Sequence, residues 1–347
     1  MSESAMDDLL SMLKQQTADA PQGDSPADGP VRRFCTVEEA NRELQRRMMG
    51  DADGEAIRAV AHAIAASDDI CGTADEYHNI IQDFFRISDY LGALEVARKG
   101  LSFYPSNIDL LANAIRAAAN TSNFEACDMY ERQARAAGMQ YWNWRLFTFL
   151  IDAYKARFDT VATEAQRQEL YNQAHGIADE YLEHFPTDDR AFNAKAELYI
   201  LANEREKAME VLGRAIGTAR DQQTGTKILA PTCCVTYLDI LEPGDEATCR
   251  LIIQIAQKGL HSTAEEQPSA NIGYFVYREA LARDALIAMQ GDGRGYTDTR
   301  SVEKALGCYE CAYALLRGRS YARTIEQRYA ILKSRGEGDF SERHLPE

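Results

Sequence analysis

The sequence lacks several features by which common classes of protein are recognised. It has no run of about 18 or more uncharged apolar residues, so we expect no membrane-spanning helix. Its first ten residues, MSESAMDDLL, carry acids where a secretory signal carries bases, and no long apolar region follows them. These two absences predict a protein of the cytoplasm.

Positive charge is also scarce. The chain has 38 Lys and Arg residues against 54 Asp and Glu residues, for a net charge of −16. Such a surface repels a phosphate backbone, so we do not expect general nucleic-acid binding. The stretch LLRGRSYARTIEQR, residues 315–328, is a candidate for local nucleic-acid binding, although a solvated helix face is the more common explanation of such a run. Its basic residues are Arg317, Arg319, Arg323 and Arg328.

Motifs for catalysis or metal binding are missing as well. Cys308 and Cys311 form the sole CxxC pair, and no second pair or histidine stands at zinc-ligand spacing. The six histidines form no HExxH motif, and no serine or cysteine lies on a nucleophile elbow. The eight cysteines are scattered through helical patterns, which predicts reduced, mostly buried thiols. We expect no cofactor, no metal and no enzymatic activity; an enzyme with an unfamiliar site is the remote alternative.

The N-terminal segment, up to Phe34, differs from the rest. Residues 15–34 are rich in Pro, Asp, Gly and Ala, which predicts a flexible linker. The preceding residues 1–14 predict a short acidic amphipathic helix, because apolar side chains recur at helical spacing. Those side chains are Met6, Leu9, Leu10 and Leu13. We expect this helix to dock in the protein's own groove or on another protein.

From Cys35 to about Leu332 the apolar residues recur at the period of an α-helix, and strand alternation is absent. Thr36 and Glu39 have the spacing of a capping box, which predicts a helix through Met49. The predicted fold class is therefore all-α. The predicted segments are an N-terminal helical pair (35–73), regular repeats (74–220), divergent helical repeats (221–335) and a tail (336–347).

A 34-residue step relates parts of this pattern. In DYLGALEVARKGLSFYPSN, residues 89–107, small residues lie along one helical face and Pro105 closes the segment. The step takes Tyr90 to Phe124 and Ala93 to Cys127. A unit of this length is typical of paired-helix solenoids, in which the second helix of each unit presses against the first.

The pattern resembles the tetratricopeptide repeat (TPR) family. In the first clear unit the matching residues are Tyr77, Ile80, Ile81, Phe84, Ala93, Ala97 and Pro105. The resemblance covers residues 74–216 and, more loosely, 230–335. It implies a right-handed α-solenoid of stacked antiparallel helix pairs, a TPR-like superhelix with a concave groove. One unit departs from the pattern, since Ala174 stands much further beyond Ile151 than Ala93 stands beyond Phe84.

In that family the first helix of each pair lines the concave groove, so the register predicts the groove residues. They are His78, Gln82, Arg86, Asn113, Arg116, Arg145, Arg190 and Asn193. Co-chaperone members clamp a C-terminal carboxylate with Lys and Asn residues; Asn113 fits that pattern and the lysine is missing. A cationic, amide-rich groove still favours an acidic or carboxylate-bearing peptide. The alternative is that these side chains are merely solvated.

These features predict a non-enzymatic protein–protein interaction scaffold or adaptor that binds a peptide segment in the groove. A peptide-responsive regulator or sensor, whose solenoid changes curvature when the peptide binds, is the alternative. Regulators of that kind often carry a DNA-binding helix-turn-helix at the N-terminus, where this chain has its acidic segment and linker.

Overall fold

A computed structural model describes residues 33–50, 52–218, 231–263, 270–290, 299–335, 340 and 342–346. The predicted acidic helix 1–14 lies outside the described residues, as do most of the linker, part of the tail and the predicted boundary between residues 220 and 221. The described residues form fifteen α-helices and no strand, which confirms the all-α fold class. None of those helices is long and apolar enough to cross a membrane.

The chain divides into two compact units, residues 1–181 and residues 182–347. The helices of the first unit are α1 (Val37–Met49), α2 (Gly54–Ala66), α3 (Ala74–Arg86), α4 (Tyr90–Phe103), α5 (Ile108–Asn120), α6 (Phe124–Ala137), α7 (Trp144–Phe158) and α8 (Glu164–His184), which ends just beyond it. Those of the second unit are α9 (Asp189–Leu201), α10 (Arg205–Thr218), α11 (Pro231–Ile240), α12 (Glu246–Thr263), α13 (Ala270–Gln290), α14 (Thr299–Leu316) and α15 (Ala322–Arg335).

Capping boxes fix where two helices of the first unit begin. Thr36 Oγ1 accepts a hydrogen bond from the Glu39 amide at 3.1 Å, and the Glu39 carboxylate accepts one from the Thr36 amide. Thr73 and Glu76 repeat the arrangement at the start of α3. Each box satisfies backbone donors that the first turn of a helix leaves without partners. The helix predicted from Thr36 to Met49 is thereby confirmed.

The 34-residue repeat is visible in the turns between paired helices. Ser88 and Ser122 precede the start of α4 and α6 by two residues, and both have a left-handed backbone, with φ of 60° and 56°. In the second unit Asn203 holds the same place before α10, with φ of 59°. All three turns close with the two backbone hydrogen bonds of a Schellman motif, for example from the Asp89 amide to Phe84 O at 3.0 Å.

Small residues lie where the paired helices approach each other. Turns this short make consecutive helices antiparallel neighbours, and α3 packs against α4 as α5 packs against α6. Ala93 and Ala97 on α4 are fully buried. A Cβ added to Gly100 would lie 3.1 Å from Tyr77 Cγ on α3 and from Leu110 Cδ1 on α5. The predicted helix pairs and their stacking are therefore confirmed, and the small residues are the contact points.

The longer unit of the repeat produces a longer second helix. The helix α8 has 21 residues, whereas α4 and α6 have 14 each. The ring of Tyr181 near its end stacks on Phe147 of α7, with centroids 4.9 Å apart and planes inclined by 4°. The added residues stand at the other end, where residues 164–169 are exposed. The extra sequence is thus accommodated partly as exposed helix at the start of α8 and partly as a longer α7, which continues seven residues beyond Ile151 whereas α3 continues two beyond Phe84.

In the second unit each helix packs against the next along the chain. The stretches CRLIIQIAQKGL and VEKALGCYECAYALL, which echo second helices of the repeat, lie in α12 and α14. Gly259 of α12 faces the ring of Phe275 on α13, where an added Cβ would come within 2.6 Å of two ring carbons. The close approach seen at Gly100 therefore recurs at Gly259.

The prediction of mostly buried cysteines is only half right. Four are buried: Cys127, Cys233, Cys234 and Cys249. Cys308 is half-buried, and Cys35, Cys71 and Cys311 are exposed. Cys35 and Cys71 are exposed because they lie in the connections that precede α1 and α3, not within a packed helix.

Candidate functional site

Six of the eight predicted groove residues lie on the first helices of the first unit. We call this set the first-helix row: His78, Gln82 and Arg86 on α3, Asn113 and Arg116 on α5, and Arg145 on α7. The three α3 residues are four positions apart, so they share one face of that helix. The apolar residues Tyr77, Ile80, Ile81 and Phe84 occupy the buried side of α3.

Asn113 joins α3 to α5 from a fully buried position. Its Oδ1 accepts a hydrogen bond from Gln82 Nε2 at 3.0 Å, and its Nδ2 donates to His78 Nδ1 at 2.9 Å. The bond to His78 places the imidazole proton on Nε2, since Nδ1 is the acceptor. Asn113 therefore positions His78 and Gln82, and its own amide is not available to a ligand.

The His78 imidazole is biased toward its neutral form. Partial burial lowers its pKa, because desolvation disfavours the charged ring. Nearby Asp109 raises the pKa and nearby Arg145 lowers it, so these smaller influences oppose each other. At neutral pH the Gln82–Asn113–His78 group is thus an uncharged set of hydrogen-bonding side chains.

Asp109 makes the corresponding connection between α5 and α7. Its Oδ1 accepts hydrogen bonds from Asn143 Nδ2 at 3.0 Å and from Arg145 Nη1 at 3.2 Å. Asn143 also caps α7, because its Oδ1 accepts from the Leu146 amide. The polar side chains of successive first helices are therefore linked from α3 through α5 to α7.

Arg116 is held by aromatic rings. Its guanidinium carbon lies 4.3 Å from the centroid of Phe85 on α3 and 5.2 Å from that of Phe149 on α7. Among the residues that the structure describes, no carboxylate lies within ion-pair distance of it. Stacking on ring faces orients a guanidinium while leaving its N–H groups at the edge.

An open hollow of about 490 Å³ lies beside Arg116, between α5 and α7. We call it the α5–α7 hollow. Its lining residues are Arg116, Ala119, Asn120, Trp144, Phe149, Asp152 and Ala156. Aromatic surface, an amide and a guanidinium without an ion pair among the described residues therefore converge on one space large enough for a few side chains. The acid of the lining, Asp152, pairs with Lys155 at 3.2 Å.

The other arginines of the predicted groove are matched by acids. Arg86 pairs with Asp83 on its own helix, and Arg145 pairs with Asp109. In the second unit both Asp188 oxygens accept hydrogen bonds from Arg190 at 2.9 Å. The expectation of a locally cationic groove is therefore wrong for these three positions, because intramolecular carboxylates neutralise them. Positive charge available to a ligand is concentrated at Arg116.

Arg190 and Asn193 lie on α9 of the second unit. Asn193 Nδ2 donates to Glu197 Oε1 at 2.8 Å, and its Oδ1 accepts from Thr236 of α11. These hydrogen bonds join residues of the second unit, and the six-residue row of the first unit is described independently of them. Both residues stay predictions as groove residues.

Sequence reasoning missed the residues that complete the hollow. Asn120 lies one repeat step after Arg86, so the repeat itself could have identified it. Phe149 and Asp152 lie four and seven residues after Arg145, on the same helical face. Phe85 carried no such signal, because its neighbour Phe84 holds the buried position of the repeat.

The remaining sequence candidates form no site with the residues that the structure describes. The Cys308 thiol is half-buried and its pKa is raised to about 11 by burial, whereas Cys311 is exposed. Of the four clustered arginines, all exposed, Arg328 reaches Asp284 at 3.6 Å. Within the described part of the chain, no three His, Cys, Asp or Glu side chains are grouped to hold a metal ion.

These features define an all-α protein built from TPR-like helix pairs with a 34-residue repeat in α3–α6. The sequence matches no protein-family model and no curated protein. One solved structure, that of a thermophilic TPR protein in Thermus thermophilus, is similar with a TM-score of 0.44 and 16% identity, over 60% of this chain and 98% of the other. The assignment of the architecture rests on the repeat spacing, turns and contacts of this chain.

Proposed function

We propose that the chain is a non-enzymatic protein–protein interaction scaffold that binds a peptide segment along the first-helix row of its first unit. Stacked helix pairs leave the first helices side by side, which provides an extended surface for a partner chain. The observation that carries the proposal is Arg116, oriented by Phe85 and Phe149 beside the α5–α7 hollow and without a carboxylate partner among the described residues.

The chemistry of the row indicates how a peptide is held. Gln82 and His78 offer neutral hydrogen-bonding groups, which suit the amides of an extended backbone. Arg116 suits a single carboxylate, from an acidic side chain or a chain end, through charge-assisted hydrogen bonds. Trp144 and Phe149 offer apolar surface to the adjacent side chain of the ligand. The partner we propose thus carries one carboxylate next to an apolar residue, not a run of acids.

A peptide-display selection against the full chain tests the proposal. We expect enriched peptides with a carboxylate beside an apolar residue, and we expect Arg116→Gln to weaken their binding by about tenfold or more, since charge-assisted hydrogen bonds are worth about 1.5–3 kcal/mol. The matched control is Arg42→Gln, which removes an exposed arginine on α1 of the same unit.

Two outcomes of this selection would refute the proposal. Equal binding by the Arg116→Gln and Arg42→Gln variants would remove Arg116 from the site. A selection that enriches nothing above background would remove peptide binding itself. The alternative role as a peptide-responsive regulator stays a prediction.

A further inference from the structure

A second surface of the first unit carries positively charged residues that do not belong to the first-helix row. It is an open depression of about 540 Å³ between α4 and α6, which we call the α4–α6 depression. Its lining residues are Arg98, Asn123, Glu125, Ala126, Asp128, Met129 and Arg132. None of these residues belongs to the row or to the α5–α7 hollow.

Arg98 and Arg132 are equivalent residues of the repeat. They stand one repeat step apart, at the same position of α4 and α6, and both are exposed. Within the part of the chain that the structure describes, neither arginine has a carboxylate within ion-pair distance. The two guanidinium groups therefore line one depression, and neither forms an ion pair with the two acids of its lining, Glu125 and Asp128.

The remaining lining residues define what such a site accepts. Met129 is 44% exposed and supplies apolar surface one turn before Arg132. Asp128 is neutralised by Arg157, whose Nη1 lies 3.1 and 3.2 Å from its two oxygens. Glu125 is the acid of the lining that has no such partner among the described residues. The depression thus offers two cations and one acid around an apolar patch, an excess of positive charge whose complement is a segment that combines acids with large apolar residues.

A neighbouring cleft of about 650 Å³ shares Arg132 and Asp128 with the depression. It lies between α6, α7 and the protruding start of α8, and its other arginines already have partners. Arg135 pairs with Glu131 and Glu180, and Arg157 pairs with Asp128. The larger cleft therefore has Arg132 alone as an arginine without an ion pair among the described residues, whereas the α4–α6 depression has both Arg98 and Arg132.

We propose that the α4–α6 depression binds residues 1–14 of the same chain, with Arg98 and Arg132 paired to its acids and Met129 packed against its apolar side chains. This segment combines three acids (Glu3, Asp7 and Asp8) with Met6, Leu9, Leu10 and Leu13, and its one base is Lys14. It therefore has the composition that the depression complements.

The chain between residue 14 and the start of the described structure is long enough for residues 1–14 to reach the α4–α6 depression. Residues 15–32 span up to about 60 Å when fully extended. Contacts connect α1 to α6 through α2, α4 and α5, four helix-to-helix steps of about 10 Å each. A tether of this length holds its segment near the surface at an effective concentration of about 1 mM, so a weak intrinsic affinity is enough for occupancy.

The test uses a fluorescent peptide of residues 1–14 and the full chain carrying Asp7→Lys and Asp8→Lys, which disables the tethered copy. We expect saturable binding by anisotropy, and about tenfold weaker binding after Arg98→Glu and Arg132→Glu, since two exposed ion pairs are reversed. The matched control pair, Arg319→Glu and Arg323→Glu, reverses two exposed arginines of the second unit and should leave the affinity unchanged. Arg98→Gln with Arg132→Gln, a milder change, should show a smaller loss in the same direction.

A second arm tests whether the tethered copy occupies the depression. The unmodified chain should bind the peptide about tenfold more weakly than the Asp7→Lys, Asp8→Lys chain, given a tether at about 1 mM and an affinity of about 100 μM. Equal affinity of these two chains would overturn the proposal. Absence of binding, an equal loss from the control pair, or a loss on Arg116→Gln without one on Arg98→Glu and Arg132→Glu would also overturn it. None of these results bears on display-selected peptides, so the proposed function is tested separately.

Discussion

At the scale of single residues, the structure explains why small side chains recur at one position of the second helices. Gly100 and Gly259 both stand between a lysine and a leucine in the sequence, and each faces an aromatic ring of a neighbouring helix. The ring is Tyr77 for Gly100 and Phe275 for Gly259. Because protein interiors are close-packed, even one added methyl group is felt at such contacts.

Gly259→Ala should therefore destabilise the protein. The new Cβ would lie 2.6 Å from two carbons of the fully buried Phe275 ring, and overpacking of this kind costs about 1–3 kcal/mol. The matched control is Gly213→Ala in α10 of the same unit, where no atom of the described residues lies within 4 Å of the new Cβ. That substitution should stabilise the helix by about 0.5–1 kcal/mol. Chemical denaturation of both variants measures the change in the free energy of unfolding. Changes of the same sign in the two variants would contradict the close approach of Gly259 to Phe275.

The partners of the groove residues were predictable from the sequence where both residues lie on one helix. They were less predictable where the partner lies on a neighbouring helix. Asp83, three residues before Arg86, could have been recognised as its partner from helical spacing alone. Asp109 neutralises Arg145 from another helix, 36 positions away. The rings that hold Arg116 likewise come from two different helices. The charge that the first-helix row offers to a ligand therefore could not be predicted from the identities of its residues alone.

At the scale of elements, the turn between paired helices is the feature that defines the repeat. Serine in a left-handed conformation is strained by roughly 1–2 kcal/mol relative to glycine, which adopts it freely. Ser88 and Ser122 nevertheless occupy that conformation one repeat step apart, closed by the same backbone hydrogen bonds. The surrounding helix contacts must therefore determine the turn.

Substitutions at Ser122 should change stability in opposite directions. Ser122→Gly should stabilise by about 0.5 kcal/mol, since the relief of strain slightly exceeds the entropy that glycine gains in the unfolded chain. Ser122→Val should destabilise by about 1–2 kcal/mol, because a β-branched residue tolerates positive φ poorly. Ser102→Val on the exposed side of α4 is the control and should stay within about 0.5 kcal/mol of the parent. Denaturation midpoints that do not separate the glycine and valine variants would argue against the left-handed turn.

Helix boundaries were predictable to the extent that caps and periodicity mark them. The capping box at Thr36 and the step from Ala74 to Ile108 are both visible in the sequence and in the structure. The extra residues between Ile151 and Ala174 were recognised as a departure, but their form was not predictable. They continue α7 for seven residues beyond Ile151 and begin α8 ten residues before Ala174. The polar residues 164–169 extend α8 as exposed helix, because such residues can continue a helix without burying a face.

At the scale of the whole molecule, the chain consists of two helical units whose boundary lies at Tyr181 and Leu182. The eight residues predicted for one groove are divided between them, six on the first unit and two on the second. The sequence could not anticipate this division, since the repeat pattern continues from α8 into α9 with small residues at the expected positions. We therefore centre the proposed function on the first unit alone.

The most direct measurement of that central claim is hydrogen–deuterium exchange of the full chain with and without a display-selected peptide. The claim predicts added protection in Ala74–Arg86, Ile108–Asn120 and Trp144–Phe158, and loss of that protection in the Arg116→Gln variant. Protection confined to Tyr90–Phe103 and Phe124–Ala137, or to helices of the second unit, would contradict it.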